Sequence, residues 1–358
     1  MNHSPLPVLL CVTAGLCAQT TRVVPSLATA EEGNTSAAFP FGYDTFRCQQ
    51  ILEASAMATP SGVLLTDFAY RANREDTPHS GFSLTSLTVQ IGATTQSSAA
   101  MSTTYAANVT GAMTTVFSGA FQGPAQPALA GDVIPGAFNL LIMLSTPFTH
   151  NLANGNLLID ITASGVGART NFHVDAASLG GHCLKWGQSG QLSGSDYAQV
   201  VCSSQRTALV PGGSLDVATT TQLYGTYPGA LLVGVNRVHP GFDLAGLGAP
   251  GNFVRVDPTF LVPLVWQQTF IGWASTFALP IPNNQRLVGA ALHAQSVLGD
   301  AAANQLGLVT TDAARAIVGS AQPVPTQSVA GQDPIAPSGQ FQFSGLGGPV
   351  VALQGTFF

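Results

Sequence analysis

Short runs in which apolar residues alternate with Thr, Ser, Gln and Gly recur along the chain, and turn residues separate them. The clearest run is residues 83–94, whose apolar members are Leu84, Leu87, Val89 and Ile91. Alternation of this kind is typical of β-strands that bury one face. No long helix is expected between the runs, so the pattern predicts an all-β protein.

The predicted strands fall into two groups. About eight strands within residues 39–206, without a long helix among them, favour a jelly-roll-like sandwich. The pattern restarts near Pro211-Gly212-Gly213, and the strands of residues 207–320 are spaced as in a smaller, immunoglobulin-like sandwich. The stretch from Gly246 to Gly319 supplies the core of this second sandwich. The sequence therefore predicts two β-sandwich domains.

Other segments have weaker patterns. Residues 19–38 lack periodicity and are predicted to be a flexible leader, whereas residues 321–358 are predicted to be a Pro- and Gln-rich linker followed by a terminal strand. Asn154-Gly155 is the strongest hairpin signal of the chain. Ser97–Ala112 is compatible with a short helix or an irregular crossing segment, and Thr310–Val318 with one helical turn or a short strand.

The N-terminus carries an apolar run of signal-peptide length. Residues 8–18 are too short to span a bilayer, and Gly15 and Ala18 are small residues at the positions that cleavage requires. Residues 1–18 are therefore predicted to be a signal peptide, with a buried N-terminal strand as the alternative. No later run has the length of a transmembrane helix, so the mature chain is predicted to be secreted or on the cell surface, and not transmembrane.

The charge content is low for so apolar a chain. Charged residues make up 8% and hydrophobic residues 46%, with a formal net charge of −6 and a mean hydropathy of +0.29. The surface is therefore predicted to be polar but largely uncharged. Lys185 is the one lysine and the arginines form no cluster along the sequence, which argues against binding of nucleic acid.

Three cysteines remain after residue 18. In an oxidising compartment Cys183 and Cys202 could close a loop of hairpin size, which would stabilise the fold by roughly 3 kcal/mol on the chain-entropy model. Cys48 would then be left over. The alternative is that all three are buried free thiols.

The best metal-like cluster lies on one predicted strand and the turn after it. His173 and Asp175 share a face, and His182 and Cys183 follow, which are ligand types that zinc or copper uses. Their spacing matches no established ligand pattern, so a structural role is the alternative. The sequence has no phosphate-binding loop, nucleophile elbow or calcium loop. No cofactor is predicted.

Aromatic residues give a second candidate site. Trp186, Trp266 and Trp273, together with Tyr224 and Tyr227, could form a flat platform on which sugar rings stack. Packing in the core or over a sheet edge is the alternative for the same residues.

The second half of the chain resembles a domain of uncharacterised secreted bacterial β-sandwich proteins. The resemblance rests on GLGAPG at Gly246–Gly251, on Ala278–Asn283, Leu287–Gly289 and Gln295, and on the closing GLVTTDAARAIVG. The first half is similar through FRCQQILEAS, LTDFAYRANR, GNLLIDI and Val174–Ala176. The resemblance implies two sandwich domains without known chemistry. It also implies a cysteine at the position of Asn252, so a disulfide that relatives form there is lost.

Together these features favour a non-catalytic structural or adhesion protein, secreted or at the cell surface, with a polysaccharide or an envelope or matrix protein as its partner. The first alternative is a carbohydrate-binding, lectin-like module, based on the tryptophans. The second is a secreted hydrolase, which requires a histidine, a carboxylate and a serine or metal ligand to meet in one cleft.

Overall fold

The computed structural model describes residues 19–29, 32–59, 61–73, 81–126, 135–165, 170, 172–202, 208–222, 225–270, 272–321, 324–343 and 347–358. The predicted signal peptide, residues 1–18, lies outside the described residues. Within them the protein is all-β, as predicted, and its helices are 3-10 segments of three or four residues. None of the helices in this part of the chain is long and apolar enough to cross a membrane.

Twenty-four strands and eight 3-10 helices make up the described part. The strands are β1 (Thr20–Val24), β2 (Thr35–Ala37), β3 (Phe46–Leu52), β4 (Gly62–Tyr70), β5 (Phe82–Thr94), β6 (Met113–Gly123), β7 (Leu140–Asn151), β8 (Asn156–Ser164), β9 (Val174–Ser178), β10 (Gly180–Trp186), β11 (Ala198–Cys202), β12 (Ser214–Thr221), β13 (Gly229–Gly234), β14 (Asn236–Asp243), β15 (Phe253–Asp257), β16 (Phe260–Pro263), β17 (Gln267–Thr269), β18 (Gly272–Pro280), β19 (Ala291–Gly299), β20 (Leu308–Ser320), β21 (Thr326–Gly331), β22 (Gln340–Phe341), β23 (Gly347–Pro349) and β24 (Val351–Phe357). The 3-10 helices are Ser26–Thr29, Ala54–Met57, Ser98–Ala100, Tyr105–Asn108, Leu152–Asn154, Ser193–Ser195, Ala245–Leu247 and Gln285–Leu287.

Two sheets, which we call the first sheet pair, share the largest core. One has the strand order β22-β21-β3-β8-β5-β6 and the other β1-β24-β4-β7. Cys48 and Leu52 of β3 meet Leu65 and Phe68 of β4 and Leu353 of β24 in one buried cluster. Burying side chains of this size stabilises the fold by about 1.5–3 kcal/mol each. A small sheet of order β2-β9-β23 accompanies this pair.

The second sheet pair has the orders β10-β20-β19-β13-β16 and β11-β12-β18-β17. Its core joins Val217 of β12 with Val233 of β13 and Ala316 of β20. The β14–β15 hairpin covers the opposite face of the five-stranded sheet. Its Val256 packs against Leu232, which lies on β13 of the five-stranded sheet. β16 and β17 are left as the outer strands at one side of this pair.

The two terminal segments differ from their predictions. The leader predicted for residues 19–38 contains β1 and β2, and β1 pairs along its whole length with β24. The linker predicted within residues 321–358 contains β21, which pairs with β3. Its polar residues are buried because they form hydrogen bonds inside the protein: the Gln327 side chain, for example, accepts from the Gly347 amide at 2.7 Å. The polar composition of this segment therefore did not indicate exposure.

Two predictions in the middle of the chain are wrong as well. Asn154-Gly155 does not close a hairpin, because β7 pairs with β4 whereas β8 pairs with β3 and β5, so this turn carries the chain from one sheet to the other. The boundary at 206/207 separates strands that lie together, since β10 pairs with β20 and β11 with β12. Between the two alternatives for Thr310–Val318, the structure has a strand, β20.

Candidate functional site

Asp175, one of the four candidate metal ligands, lies in a buried ion pair. A guanidinium nitrogen of Arg71 approaches its carboxylate at 2.6 Å, and neither side chain is exposed. The Gly33 amide donates to both carboxylate oxygens, at 2.9 and 3.0 Å. The pKa of Asp175 is raised to about 7: burial is the largest cause and the Glu32 carboxylate adds to it, while Arg71 opposes the shift. Asp175 therefore fixes the segment around Gly33 to β9.

The other three candidate ligands lie in different surroundings. His182 lines a cavity of about 70 Å³ between the two sheet pairs, whose other walls include Leu27, Ala28, Ile317 and Val324. Cys183 is bonded to Cys202, and His173 is half-buried. Within the described ranges no group of three or more His, Cys, Asp or Glu residues could hold a metal ion. The four residues therefore do not assemble a metal site there.

The disulfide connects the two sheets of the second sheet pair. Cys183 lies on β10 and Cys202 on β11, and their Cα atoms are 6.2 Å apart. This is the pairing that the sequence offers as one of two alternatives. Cys48 is a buried free thiol in the core of the first sheet pair, where burial raises its pKa well above the ordinary value and Asp160 adds to the shift. A thiol in this state is not a nucleophile at neutral pH.

The three tryptophans do not lie on one face. Trp186 packs with Leu232 and Val256 beneath the β14–β15 hairpin, whereas Trp266 packs in a different cluster and donates its indole N–H to the Tyr227 carbonyl at 2.6 Å. Trp273 lies on β18, opposite Thr221. Tyr224 lies outside the described residues. Because Trp186 and Trp266 pack in separate clusters, these side chains do not form the predicted sugar platform.

Apolar side chains are instead exposed at the open side of the second sheet pair. Leu261 on the outer strand β16 is 60% exposed, Val265 in the connection to β17 is 70% exposed, and Phe270 after β17 is fully exposed. Phe260 is 39% exposed and pairs with Val233 of β13 on its inner side. We call Phe260, Leu261, Val265 and Phe270 the apolar edge. Exposed groups of large apolar residues commonly mark sites of association.

The apolar edge is also free of charge. The sequence from residue 258 to residue 285 contains no Asp, Glu, Lys, Arg or His. β16 is the last strand of its sheet in the described part, so one row of its main-chain N–H and C=O groups faces outward. The Leu264 amide donates inward to the Gly229 carbonyl of β13, and main-chain groups alternate in direction along a strand. The outward groups of β16 are therefore the N–H and C=O of Leu261 and the C=O of Pro263, which has no N–H. Sequence reasoning missed this site because an exposed apolar strand and a core strand have the same composition.

No family model, no curated protein and no solved structure matches this chain.

Proposed function

We propose that the chain is a non-catalytic structural or adhesion protein, secreted or held at the cell surface, that associates with further copies of itself through the apolar edge. The observation that carries the proposal is the uncharged outer strand β16 with its exposed Phe260 and Leu261. We infer further that the first and second sheet pairs are two sandwich domains, jelly-roll-like and immunoglobulin-like. Their boundaries then fall near residues 179 and 321, because β9 and β10 belong to different sheets and so do β20 and β21.

Two features support an oxidising location outside the cytoplasm. The N-terminal residues 8–18 have the length and the small residues of a signal peptide. The bond between Cys183 and Cys202 is of a kind that persists in oxidising compartments and is rare in the cytosol. Both features are consistent with a protein of a matrix or envelope.

A second copy is the partner that suits the charge of the apolar edge. The chain carries a formal net charge of −6, so two copies repel each other over much of their surfaces. Residues 258–285 contain no ionisable side chain, so contact through this segment brings no like charges together. Two antiparallel β16 strands related by a two-fold axis would also satisfy the outward main-chain groups of both copies.

The size of the apolar edge predicts a weak association. Four exposed side chains contribute about 400–500 Å² from each copy, since a buried aromatic residue covers about 150–250 Å². A standard stable interface buries about 800 Å² per partner. We therefore expect a dimer whose dissociation constant is about micromolar or weaker.

The test is sedimentation velocity of the mature chain over a wide range of concentration, compared with two variants. Leu261→Lys puts a charge in the apolar edge, and we expect it to remain monomeric where the native chain dimerises. Leu247→Lys is the matched control, because Leu247 is 57% exposed against 60% for Leu261 and lies on the 3-10 helix Ala245–Leu247, outside the apolar edge.

A native chain that stays monomeric up to millimolar concentration contradicts the proposal. Equal loss of association in both variants also contradicts it, because that result would place the contact elsewhere. Thermal unfolding of all three proteins checks that the variants remain folded.

A further inference from the structure

Two ring nitrogens are buried side by side without hydrogen-bond partners. The indole nitrogen of Trp186 and Nδ1 of His293 are inaccessible to solvent, and neither has a partner among the described residues. The two rings lie edge to face, with centroids 5.3 Å apart and planes at 86°. Buried polar groups in proteins are nearly always paired, so two adjacent exceptions suggest that an acceptor is bound here.

Arg315 lies on the same face of the five-stranded sheet as these two rings. His293 on β19 lies directly opposite Arg315 on β20, so their side chains share one face of the five-stranded sheet. Trp186 lies on that face too, because it pairs with Ala313, two residues before Arg315. Trp186, His293 and Arg315 therefore lie on one face of the sheet, the face that the β14–β15 hairpin covers.

The β14–β15 hairpin adds a second arginine, Arg237, above this face. Arg237 on β14 lies opposite Val256 on β15, and Val256 packs against Leu232 and Ala313 on the sheet below. Residues opposite each other in an antiparallel pair point to the same side, so Arg237 faces the sheet. Its charge acts on His293: the pKa of His293 is lowered to about 4, by burial first and then by Arg315 and Arg237.

The resulting cluster is rich in positive charge and in N–H donors. The charged groups that act on His293 within the described residues are both cations. An anion with several oxygens would accept from the ring nitrogens and from two guanidinium groups, which are the donors best suited to oxyanions. The half-buried position of Arg237 leaves a route of entry from solvent.

We propose that Trp186, His293, Arg237 and Arg315 form a binding site for a small oxyanion, a sulfate or phosphate group. The site lies between the hairpin and the five-stranded sheet, and it is separate from the apolar edge. A bound anion would place an acceptor against the buried ring nitrogens and neutralise part of the arginine charge.

Calorimetric titration of the mature chain with inorganic sulfate and with inorganic phosphate, at low ionic strength, tests the proposal. We expect saturable binding that Arg237→Gln weakens by about tenfold, the usual effect of losing one hydrogen bond to a charged group. Arg286→Gln is the control, because Arg286 is exposed on the 3-10 helix Gln285–Leu287. A parallel titration with glucose 6-phosphate shows whether the phosphate group is taken free or as an ester.

A second readout is the titration of the His293 ring by NMR. Arg237 on β14, Arg315 on β20 and Trp186 on β10 face this ring, and an anion among them favours its protonated form. We therefore expect saturating sulfate to raise the pKa of His293 and binding to tighten between pH 7 and pH 5. Absence of saturable binding overturns the proposal, as does an equal effect of Arg237→Gln and Arg286→Gln or an unchanged His293 titration.

Discussion

At the scale of single residues, polar side chains hold loops to strands over long stretches of sequence. Asn252 is buried; its side-chain oxygen accepts from the Thr310 amide at 2.8 Å, and its amide group donates to the Pro250 carbonyl at 3.2 Å. It thereby ties the GLGAPG turn to β20. The sequence marks Asn252 only as the residue that replaces an expected cysteine, because its partner lies 58 residues further along the chain.

The buried carboxylates of Glu32 and Asp175 predict a dependence of stability on pH. The folded-state pKa of Asp175 is about 7 against an ordinary 3.8, raised by burial and then by Glu32. The folded protein therefore keeps a proton that the unfolded chain loses. The resulting stabilisation is complete below about pH 4 and is lost as the pH rises through 7.

Glu32→Gln removes the second carboxylate and can keep the acceptor for the Gly136 amide, which Glu32 binds at 2.7 Å. We expect the loss of unfolding free energy between pH 5 and pH 8 to become smaller than in the native chain by about 1 kcal/mol. Urea unfolding at both pH values measures this difference. Glu53→Gln is the control at a half-buried glutamate, and a loss in Glu32→Gln as large as in the native chain would count against the account.

At the scale of elements, the alternation of apolar and polar residues predicts strands well where one face of the strand packs in the core. In β5 the four apolar residues of the predicted strand, Leu84, Leu87, Val89 and Ile91, are all buried. Leu84 and Leu87 are three apart, and a β-bulge between them keeps both on the core face. Which strands pair could not be predicted, because β7 and β8 follow each other in sequence and lie in different sheets.

The link between β10 and β11 predicts a large contribution to stability. The bond from Cys183 to Cys202 closes a loop with a sequence separation of 19, and the double change Cys183→Ala, Cys202→Ala should lower the free energy of unfolding by about 3 kcal/mol. Thermal unfolding with and without a reducing agent measures it. The reducing agent should lower the melting temperature of the native chain and leave that of the double variant unchanged.

Cys48→Ala is the matched control for this change, because Cys48 is buried and unbonded. It should cost about 1 kcal/mol, the loss of a small apolar side chain, and the variant should remain sensitive to reduction. A double variant as stable as the native chain would show that the bond contributes nothing.

At the scale of the whole molecule, the chain ends complete the first sheet pair. β24 lies between β1 and β4, so residues from both ends of the chain meet in one sheet. The alternating pattern predicts the all-β class correctly, but the lack of periodicity in residues 19–38 and the Pro- and Gln-rich composition after residue 320 assign residues 19–38 and most of 321–358 to unstructured segments. Contacts across more than 300 residues, such as that of Thr20 with Gly355, leave no local signal. The apolar edge is hidden for another reason: its composition is that of a core strand, and only the paired sheet shows which side of β16 is open.

Hydrogen–deuterium exchange at the amides of β16 tests the self-association most directly. The Leu264 amide donates to the Gly229 carbonyl of β13, so by alternation the amide of Leu261 points outward in a single copy. Its exchange should slow as the protein concentration rises through the range of dimer formation, while the inner strand β19 stays unchanged. Exchange in β16 that is the same at low and high concentration, in samples shown to be associated, would contradict the account.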